Sequence, residues 1–568
     1  MRSRFRSTAA GASLALILSA AVSAQPKEHP PLAEVDALFS AFKATTPGCA
    51  VGVEKDGVPV FSKGYGMADL EHTVPITPKT MFYMASVSKQ FTALTVLMLA
   101  KENKLALTDS VRKYVPELPA YADKITLYHL LTHTSGVRDY FALGALSGLP
   151  DDTAYSDDLV LRMLSRQKGL NFEPGTSFLY SNSGYVLLSI IVKRVAGRPL
   201  DAVARSHVFA PLGMNETLFQ HDHTGLIRNK AFGYDRRGDA WHASNSRLDV
   251  VGDGGLYSSI DDMFRWTHNF DVPSVAADSL RAMQAPATLA NGKAIEYGMG
   301  LAPGLYRGLK VIEHSGGLAG YRTEDMWFPS ERLAVVVLCN SGAADPMQLA
   351  RRVADLYLKG APQPAPSAPA ALAERPEVAV DPKLLDAYVG NYQLRPGFII
   401  SFVREKDHLV TRATGQEAAA AYAVSETAFR LRGAPVEFDF DQPAEGGKTQ
   451  SAVLRQDGLT LPMKRVEIVA PSAQQLKPYV GKFYSADLDV TYEISGSDGG
   501  SLRLQSPAGD ANLDLVGKDE FAGPGIGTVK FACAGDGPCN ALTIDVGRAS
   551  NLQFARVPTT TAGTKPGG

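Results

Sequence analysis

The chain has 568 residues, a formal net charge of −2 and a hydrophobic content of 45%. This length predicts about three or four domains, and the composition is typical of a protein that buries sizeable cores. Neither the charge nor any basic cluster indicates nucleic acid as a partner. Four cysteines are few for a disulfide scaffold, and no metal-ligand spacing stands out, so we expect neither a metal nor a cofactor.

The first 24 residues have the pattern of a secretory signal peptide. Arginines at positions 2, 4 and 6 precede an apolar stretch at 14–22 and a small-residue cleavage site that ends at Ala24. The alternative is a membrane anchor, but this apolar stretch is too short to span a bilayer. No later segment has the length and apolar character of a span either. We therefore expect a periplasmic or secreted protein that is cleaved near Ala24.

The following segments predict the start of an antiparallel sheet. A helix is predicted over 33–45, and two strands over 48–55 and 58–65 are joined by Asp56-Gly57, which is a hairpin signal. Cys49 lies early in the first of these strands, and Cys339 lies late in a strand near the other end of this region. The two cysteines are either bridged or buried as free thiols.

Ser86 and Lys89 stand at the beginning of a long apolar helix that ends near Lys104. Positions i and i+3 share one face of a helix, so the Lys89 amine can lie beside the Ser86 hydroxyl as the base that a serine nucleophile needs. Free N–H groups at the helix N-terminus suit a developing oxyanion. The same spacing recurs at Ser110 and at Ser165, where no long apolar helix follows, so the motif is weak by itself.

A second motif, Tyr180-Ser181-Asn182, precedes an apolar helical stretch at 185–195. We expect the nearby lysine ammonium to lower the pKa of the Tyr180 phenol, which can then act as a proton shuttle. The Asn182 amide can donate to a substrate carbonyl and accept a hydrogen bond from Lys89. The alternative is a tyrosine that only packs at a helix start.

A third motif, His314-Ser315-Gly316-Gly317, follows a strand predicted over 309–313. Glycines on an inner strand let a substrate backbone approach closely. His223 begins the same His-x-Gly pattern inside a polar loop, so this motif is also weak by itself. Two later strands and a helix over 346–358 complete the region, and we expect its first and last strands to form one sheet.

Together, the three motifs resemble those of the class C β-lactamase and D-aminopeptidase-like serine hydrolase superfamily, over about residues 33–358. Phrases typical of that superfamily also occur at 130–136, 297–301 and 316–321. The resemblance implies an α/β (α+β) β-lactamase-like transpeptidase fold, in which an antiparallel sheet with flanking helices lies beside a helical subdomain. The active site would lie between these two parts.

The resemblance also implies a role for each motif residue. Ser86 would be the acylated nucleophile, with Lys89 and Tyr180 as the base system. The backbone amides of Ser86 and Gly317 would form the oxyanion hole. Asn182, His314 and Gly316 would bind the substrate.

The third motif departs from that of β-lactamases and DD-peptidases, in which a lysine stands first and binds a carboxylate. Here His314 stands first, and a histidine is mostly neutral near pH 7 unless its surroundings perturb it. This departure disfavours a β-lactamase. It fits better the branch of the family that includes D-aminopeptidases and some esterases.

The remainder of the chain predicts a linker and two repeated domains. Residues 359–378 are rich in proline and alanine, which is typical of a semi-rigid linker. The segment 385–392 recurs at 476–483 with an offset of 91 residues, from Tyr388 to Tyr479. Short strands broken by glycine and aspartate follow each copy, which predicts small antiparallel β-barrels over 379–468 and 471–558 before a disordered tail at 559–568. They resemble the lipocalin-like barrels of the family's D-aminopeptidases.

Cys533 and Cys539 flank a short glycine-containing turn in the second predicted barrel, so we expect them to be bridged. In the D-aminopeptidases that the chain resembles, a loop of the terminal barrel enters the active site. We take the Cys533–Cys539 turn and the glycine-rich stretch 523–527 as the candidates for such a loop. The alternative is a surface hairpin without functional reach.

The expected function is that of an exported serine hydrolase that acts through an acyl-enzyme on amide bonds of small peptides with D-residues. Other enzyme classes left open are a carboxylesterase and a β-lactamase or DD-carboxypeptidase. A secreted receptor for wall peptides with an inactive site is the non-enzyme alternative. The expected partners are a small peptide, amide or ester substrate, without nucleic acid or a membrane span, and a homodimer stays open.

Overall fold

The computed structural model describes residues 32–358 and 375–558, apart from 396, 433, 435, 445–446, 457–458, 498–499 and 536. The predicted signal peptide, the predicted tail and most of the predicted linker lie outside the described residues. Within those residues, no helix combines the length and apolar character needed to cross a membrane.

The N-terminal part, up to residue 358, mixes strands and helices. Its strands are β1 Cys49–Lys55, β2 Val58–Tyr65, β3 Met67–Asp69, β4 Val74–Pro75, β5 Phe82–Tyr83, β6 Leu218–Phe219, β7 Tyr234–Arg237, β8 Ala240–Ala243, β9 Leu256–Ser258, β10 Ala302–Tyr306, β11 Leu309–Leu318, β12 Tyr321–Phe328 and β13 Leu333–Cys339. Its helices are α1 Leu32–Leu38, α2 Ser88–Lys101, α3 Leu127–Leu131, α4 Tyr140–Leu146, α5 Asp157–Arg166, α6 Asn182–Ala196, α7 Leu200–Ala204, α8 Ala210–Leu212, α9 Ile260–Asp271, α10 Ala277–Met283 and α11 Pro346–Tyr357.

A six-stranded antiparallel sheet in the order β10-β11-β12-β13-β1-β2 forms the frame of this part. The first and last strands of the region therefore share one sheet, as the sequence predicts. Both β1 and β13 are buried almost throughout, which suits inner strands with apolar side chains on both faces. Cys49 lies directly opposite Cys339, and the two form a disulfide.

Helix α1 is shorter than the sequence predicts, because it ends at Leu38 instead of continuing to residue 45. The Ser40 hydroxyl donates to the Ala37 carbonyl, and the Phe42 amide donates to the Phe39 carbonyl. These local bonds take up carbonyls that the next helical turn would use, and such competition is common for serine near a helix end. With α11, the shortened helix covers one face of the sheet.

Helices α2 and α6 form the centre of the helical subdomain. Most residues of both helices are buried, so each helix is enclosed by the protein on nearly all sides. Because α2 and α6 pack on each other and begin at the first two motifs, the core of this subdomain fixes the distance between those motifs.

Two closed eight-stranded antiparallel barrels follow. The first is preceded by helix α12 Pro382–Tyr388 and contains β14 Gly390–Arg395, β15 Phe398–Glu405, β16 His408–Ala413, β17 Ala419–Ala423, β18 Ala428–Leu431, β19 Val436–Phe440, β20 Ser451–Gln456 and β21 Leu459–Val466. The second is preceded by helix α13 Ala473–Leu476 and contains β22 Gly481–Ser485, β23 Val490–Gly496, β24 Leu502–Ser506, β25 Gly509–Gly517, β26 Glu520–Gly523, β27 Gly527–Ala532, β28 Ala541–Val546 and β29 Ala549–Arg556.

In both barrels, an arginine on the last strand donates a hydrogen bond at the start of the first strand. In the first barrel, Arg465 on the last strand donates to the Val389 carbonyl beside Gly390, the first residue of the first strand. In the second, Arg556 makes the equivalent bond to the Val480 carbonyl beside Gly481. A Cβ atom at either glycine would lie within 2.1 Å of the arginine, so only glycine leaves room for this clamp.

The second barrel packs against the helical subdomain. Its residues form one continuous hydrophobic cluster with that subdomain, whereas the first barrel has a cluster of its own. Hydrogen bonds across the contact include those from the Tyr492 hydroxyl to the Leu146 carbonyl at 2.7 Å and from the Ser147 hydroxyl to the Leu488 carbonyl at 3.2 Å.

Candidate active site

Ser86 lies in a tight turn immediately before α2. The residues Ala85–Val87 form one turn of 3-10 helix, and Ala85 has a left-handed backbone with a φ of 46°. This conformation is uncommon for a residue with a Cβ and is retained where the surrounding structure enforces it. It places the Ser86 hydroxyl at the mouth of the helix, as the sequence predicts.

Lys89 points back to Ser86 from the first turn of α2. Its Nζ donates to the Ser86 Oγ at 3.0 Å, to the Asn182 Oδ1 at 2.9 Å and to the Asp253 carbonyl at 2.7 Å. The side chain is fully buried, and burial lowers the pKa of Lys89 to about 7, although the carboxylates of Asp253 and Asp139 oppose this shift. Lys89 can therefore accept a proton near neutral pH.

The pKa of the Tyr180 phenol is raised, whereas the sequence predicts that it is lowered. Burial raises the pKa of Tyr180 well above its usual value, and the neighbouring Ser86 hydroxyl offsets this only in part. Lys89 Nζ lies 4.7 Å from the ring centre, but the cost of burying a phenolate is larger than this attraction. The Ser86 hydroxyl lies near the buried Tyr180 hydroxyl, but no hydrogen bond of normal geometry joins the Tyr180 hydroxyl to a described residue. Tyr180 is thus a protonated phenol in the resting site.

Asn182 begins helix α6 and is oriented by a residue for which the sequence gives no signal. Asp139 Oδ2 accepts hydrogen bonds from the Asn182 backbone N–H at 2.8 Å and from its Nδ2 at 2.9 Å. The amide oxygen therefore points to Lys89. Asp139 also begins helix α4, where its other carboxylate oxygen accepts from the Phe141 amide.

A chain of hydrogen bonds joins the second motif to the third. The Ser181 amide donates to His133 Nδ1 at 3.1 Å, so the proton of His133 lies on Nε2, which is 3.2 Å from the Tyr297 hydroxyl. Tyr297 in turn lies 3.0 Å from His314 Nε2, and His314 Nδ1 donates to the Ser315 carbonyl at 2.7 Å. His133 and Tyr297 occur in the typical sequence phrases, although the sequence gives them no role.

His314 is a neutral side chain in this arrangement. Burial lowers the pKa of His314 to about 4, and the Lys89 charge lowers it further. Its two ring nitrogens are both engaged, one as a donor and one as an acceptor. The third motif therefore supplies no fixed positive charge, in agreement with the expectation from the sequence.

The glycines of the third motif serve a close approach of two backbone segments. A Cβ atom at Gly316 would lie 2.4 Å from the Met84 carbonyl and 3.1 Å from the Ser86 amide nitrogen. Thr323 on the next strand donates to the same Met84 carbonyl at 2.9 Å. Gly316 thus packs on the backbone of the nucleophile turn, while the adjacent Gly317 lines the cleft. Ser86 and Gly317 therefore both line the cleft.

Asp253 is a second carboxylate that the sequence does not single out. Its carbonyl accepts from Lys89, and its Oδ2 accepts from the Tyr140 hydroxyl at 3.0 Å. Burial raises the pKa of Asp253 to about 6, although the Lys89 charge opposes this. A carboxylate this close strengthens the charged form of Lys89, so the two groups set each other's protonation.

The cleft above Ser86 has a volume of about 400 Å³ and also receives a side chain from the second barrel. That side chain is Arg548, in the turn between β28 and β29. The Cys533–Cys539 turn, which is bridged as predicted, packs instead beside Pro478, so its predicted approach to the cleft is wrong. The sequence does not indicate the loop that reaches the site, because this loop contains one arginine and no motif.

Among the residues that the structure describes, two groups of side chains lie close enough together to hold a cation. The donor atoms of Asp69, Glu71 and His72 lie within 4.8 Å of one another, as do those of Asp222, His223 and Asp249. Neither group lines the cleft. His72 and His223 already pair with a carboxylate of their own group, at 2.7 and 2.8 Å respectively.

Comparison with known proteins extends these observations. The beta-lactamase family matches residues 35–359, which is more than half of the chain. Penicillin-binding protein 4* of Bacillus subtilis is 29% identical over 416 residues, which covers 70% of this chain and 90% of that protein. A D-aminopeptidase of Gluconobacter oxydans is 34% identical over 316 residues, or 55% of this chain, and the chain spans only 59% of that protein's length.

One solved structure covers more than the N-terminal part. The octameric penicillin-binding protein homologue from Pyrococcus abyssi aligns with a TM-score of 0.54 and 23% identity, over 76% of this chain and 100% of that chain. At this identity the likeness concerns the fold. Together with the family match and the site geometry, it leads to one conclusion: the chain belongs to the beta-lactamase family and is a serine hydrolase of that family.

Proposed function

We propose that this chain is an exported serine hydrolase that cleaves amide bonds of small, D-amino-acid-containing peptides through an acyl-enzyme. The observation that carries the proposal is the contact of 3.0 Å between Lys89 Nζ and Ser86 Oγ, with burial holding the pKa of Lys89 at about 7. A lysine in this state takes a proton from the serine as the serine attacks.

Each proton has a donor and an acceptor in this mechanism. Neutral Lys89 takes the Ser86 proton while Oγ bonds to the substrate carbonyl carbon, and the amides of Ser86 and Gly317 stabilise the oxyanion. When the C–N bond breaks, Tyr180 protonates the leaving amine and regains a proton from Lys89. Water then attacks the acyl carbon and gives a proton to Lys89. When the bond from that carbon to Ser86 Oγ breaks, Lys89 returns the proton to Oγ, and the acid product leaves.

The proposed substrate class follows from the relatives and from His314. The D-aminopeptidase relatives support an amide substrate with a D-residue. The neutral His314 does not supply the motif cation that β-lactamases use for a carboxylate, so recognition of a carboxylate would need another residue. Because Tyr180 is protonated in the resting site, it holds a proton that it can give to an amine leaving group.

The proposed export has two supports. The first 24 residues have the composition of a signal peptide. The described part of the chain contains two disulfides, Cys49–Cys339 and Cys533–Cys539, and disulfides persist mainly in oxidising compartments.

The test of function is an activity panel on the purified mature protein, with Ser86→Ala as the matched control. The panel contains D-alaninamide, L-alaninamide, a short acyl ester and a chromogenic cephalosporin. We expect turnover of the D-amide above the L-amide, weak cephalosporin turnover, and no turnover by the variant. Preferential hydrolysis of the ester would instead assign a carboxylesterase. Efficient cephalosporin turnover would overturn the proposal.

A further inference from the structure

Arg548 reaches the cleft from a turn that is held in place at its backbone. The Arg548 carbonyl accepts hydrogen bonds from the Asp139 amide and from Asn171 Nδ2, both at 3.1 Å. Asn171 Oδ1 in turn accepts from the Ser550 amide at 2.7 Å. Because the main chain carries these contacts, the side chain of Arg548 is free to serve another purpose.

A buried ion pair between Arg138 and Asp487 joins the second barrel to the helical subdomain near this turn. Arg138 NH1 lies 2.8 Å from Asp487 Oδ2, and both side chains are at most 2% exposed. Arg138 also donates to the Ser550 and Asn551 carbonyls of strand β29, at 2.9 and 2.8 Å. The residue next to Arg138 is Asp139, which orients Asn182. Two adjacent residues therefore contact different parts of the molecule: Arg138 binds the second barrel, and Asp139 orients the second motif.

The guanidinium of Arg548 has unused hydrogen-bonding capacity. It lies 4.8 Å from the centre of the Tyr180 ring, and its NH1 is 3.9 Å from Asp139 Oδ2, too far for a hydrogen bond. That oxygen already accepts two bonds from Asn182. Within the described part of the chain, no hydrogen bond from the Arg548 side chain is formed, and the side chain is 47% exposed.

Arg548 supplies the charge that the third motif lacks. Among the described residues that line the cleft, it is the one lysine or arginine. His314 is neutral there, and Asp253, which also lines the cleft, accepts a hydrogen bond from the Tyr140 hydroxyl through its Oδ2. A guanidinium matches the planar geometry of a carboxylate and binds it with two parallel hydrogen bonds.

The position of Arg548 also indicates which part of a substrate it meets. It lies against the ring of Tyr180, the residue that protonates the leaving nitrogen in the proposed mechanism. In a peptide, the carboxylate of the last residue is separated from that nitrogen by a single carbon atom. A group that contacts the Tyr180 ring is therefore on the leaving-group side of the cleft.

We propose that Arg548 binds the free C-terminal carboxylate of the leaving residue, so that the preferred substrates are short peptides whose leaving residue ends in an unblocked carboxylate. This inference rests on the proposed function and adds its substrate class. The second barrel is then part of the specificity site.

The test compares two substrates that differ only in this charge. D-alanyl-D-alanine and its C-terminal N-methylamide are hydrolysed by wild type, Arg548→Gln and Arg548→Lys, and mass spectrometry quantifies the released leaving residue. We expect wild type to prefer the free acid and Arg548→Gln to lower the ratio of the two kcat/KM values by about tenfold, which is typical for loss of a charge-assisted hydrogen bond. Arg548→Lys should keep part of the preference.

The ratio of the two kcat/KM values distinguishes recognition of the carboxylate from a general effect of Arg548 on catalysis. Arg548 also lowers the pKa of Lys89, but this effect is the same for both substrates. The matched control is Arg503→Gln on strand β24 of the same barrel, an exposed arginine paired with Asp510, which should leave the wild-type ratio unchanged. Equal losses for both substrates in Arg548→Gln, or no preference in wild type, would overturn the inference.

A second arm keeps this inference distinct from the proposed function. If wild type cleaves neither peptide although a serine-directed phosphonate labels Ser86, the proposed function fails. The carboxylate site is then tested by protection, with N-acetyl-D-alanine and its N-methylamide as competitors of labelling. Slower labelling by the acid alone, in wild type but not in Arg548→Gln, would support the inference. Equal effects of acid and amide would contradict it.

Discussion

At the scale of single residues, the protonation of Lys89 decides whether Ser86 can react. The amine acts as a base only when it is neutral, and burial brings the pKa of Lys89 to about 7. We therefore expect kcat/KM for a neutral amide to fall as the pH decreases through about 7. Asp253→Asn removes a carboxylate that favours the charged amine, so the fall should move to lower pH. A pH profile that is flat through neutrality, or a shift to higher pH in Asp253→Asn, would show that Lys89 is not the titrating base.

The substitution Tyr180→Phe should lower activity without lowering stability. No hydrogen bond of normal geometry joins the buried Tyr180 hydroxyl to a described residue, so Tyr180→Phe should leave the free energy of unfolding unchanged or raise it by up to about 1 kcal/mol. Turnover should fall by at least about a hundredfold, because the proton donor for the leaving amine is lost.

The control for Tyr180→Phe is Tyr185→Phe on helix α6, which follows the loop that carries Tyr180. The Tyr185 hydroxyl donates to the Leu131 carbonyl at 2.7 Å, and its loss should lower the free energy of unfolding by about 1–3 kcal/mol. The measurements are denaturant unfolding and steady-state kinetics. Near-normal turnover in Tyr180→Phe would remove this residue from the proton-transfer system.

At the scale of elements, Tyr297 connects the loop of the second motif to strand β11. Its hydroxyl lies between His133 and His314, whose facing nitrogens are both buried. Tyr297→Phe leaves these two nitrogens without a partner, which should lower the free energy of unfolding by about 1–3 kcal/mol for each group. We also expect slower acylation, because the loop that carries Tyr180 loses its hydrogen-bonded connection to strand β11. An unfolding free energy equal to that of wild type would show that the hydrogen-bond chain is not formed.

The contact between the second barrel and the helical subdomain depends on the buried pair Arg138–Asp487. Asp487→Ala leaves the Arg138 charge buried and unpaired, which should cost about 3–5 kcal/mol. The matched control is Arg166→Ala, because the exposed pair of Arg166 with Asp489 has an N–O distance of 3.2 Å and should contribute only about 0–1 kcal/mol. Denaturant unfolding measures both, and similar losses in the two variants would contradict this account of the interface.

At the scale of the whole molecule, the sequence predicts correctly those features of the fold and the site that depend on short stretches of the chain. The Ser86–Lys89 spacing, the hairpin at Asp56-Gly57 and the 91-residue repeat each predict a feature that the structure contains. The pKa of Tyr180 could not be predicted correctly, because its burial depends on parts of the chain that are distant in sequence.

The remaining parts of the site come from chain segments that carry no motif. Asp139 and Asp253 meet Asn182 and Lys89 only because α4 and the segment before β9 pack against α2 and α6. Arg548 reaches the cleft only because a buried ion pair fixes a barrel near the opposite end of the chain. These contacts are consequences of domain packing, which no spacing within the sequence encodes.

The most direct test of the account is the identity of the acylated serine. Intact-mass spectrometry after treatment with a serine-directed phosphonate should show one adduct on the wild-type protein, and peptide mapping should place it on Ser86. Ser86→Ala should show none, while Ser110→Ala and Ser165→Ala, which alter the same Ser-x-x-Lys spacing elsewhere, should be labelled like wild type. An adduct that persists in Ser86→Ala, or that maps to Ser110 or Ser165, would contradict the assignment of the nucleophile and the mechanism built on it.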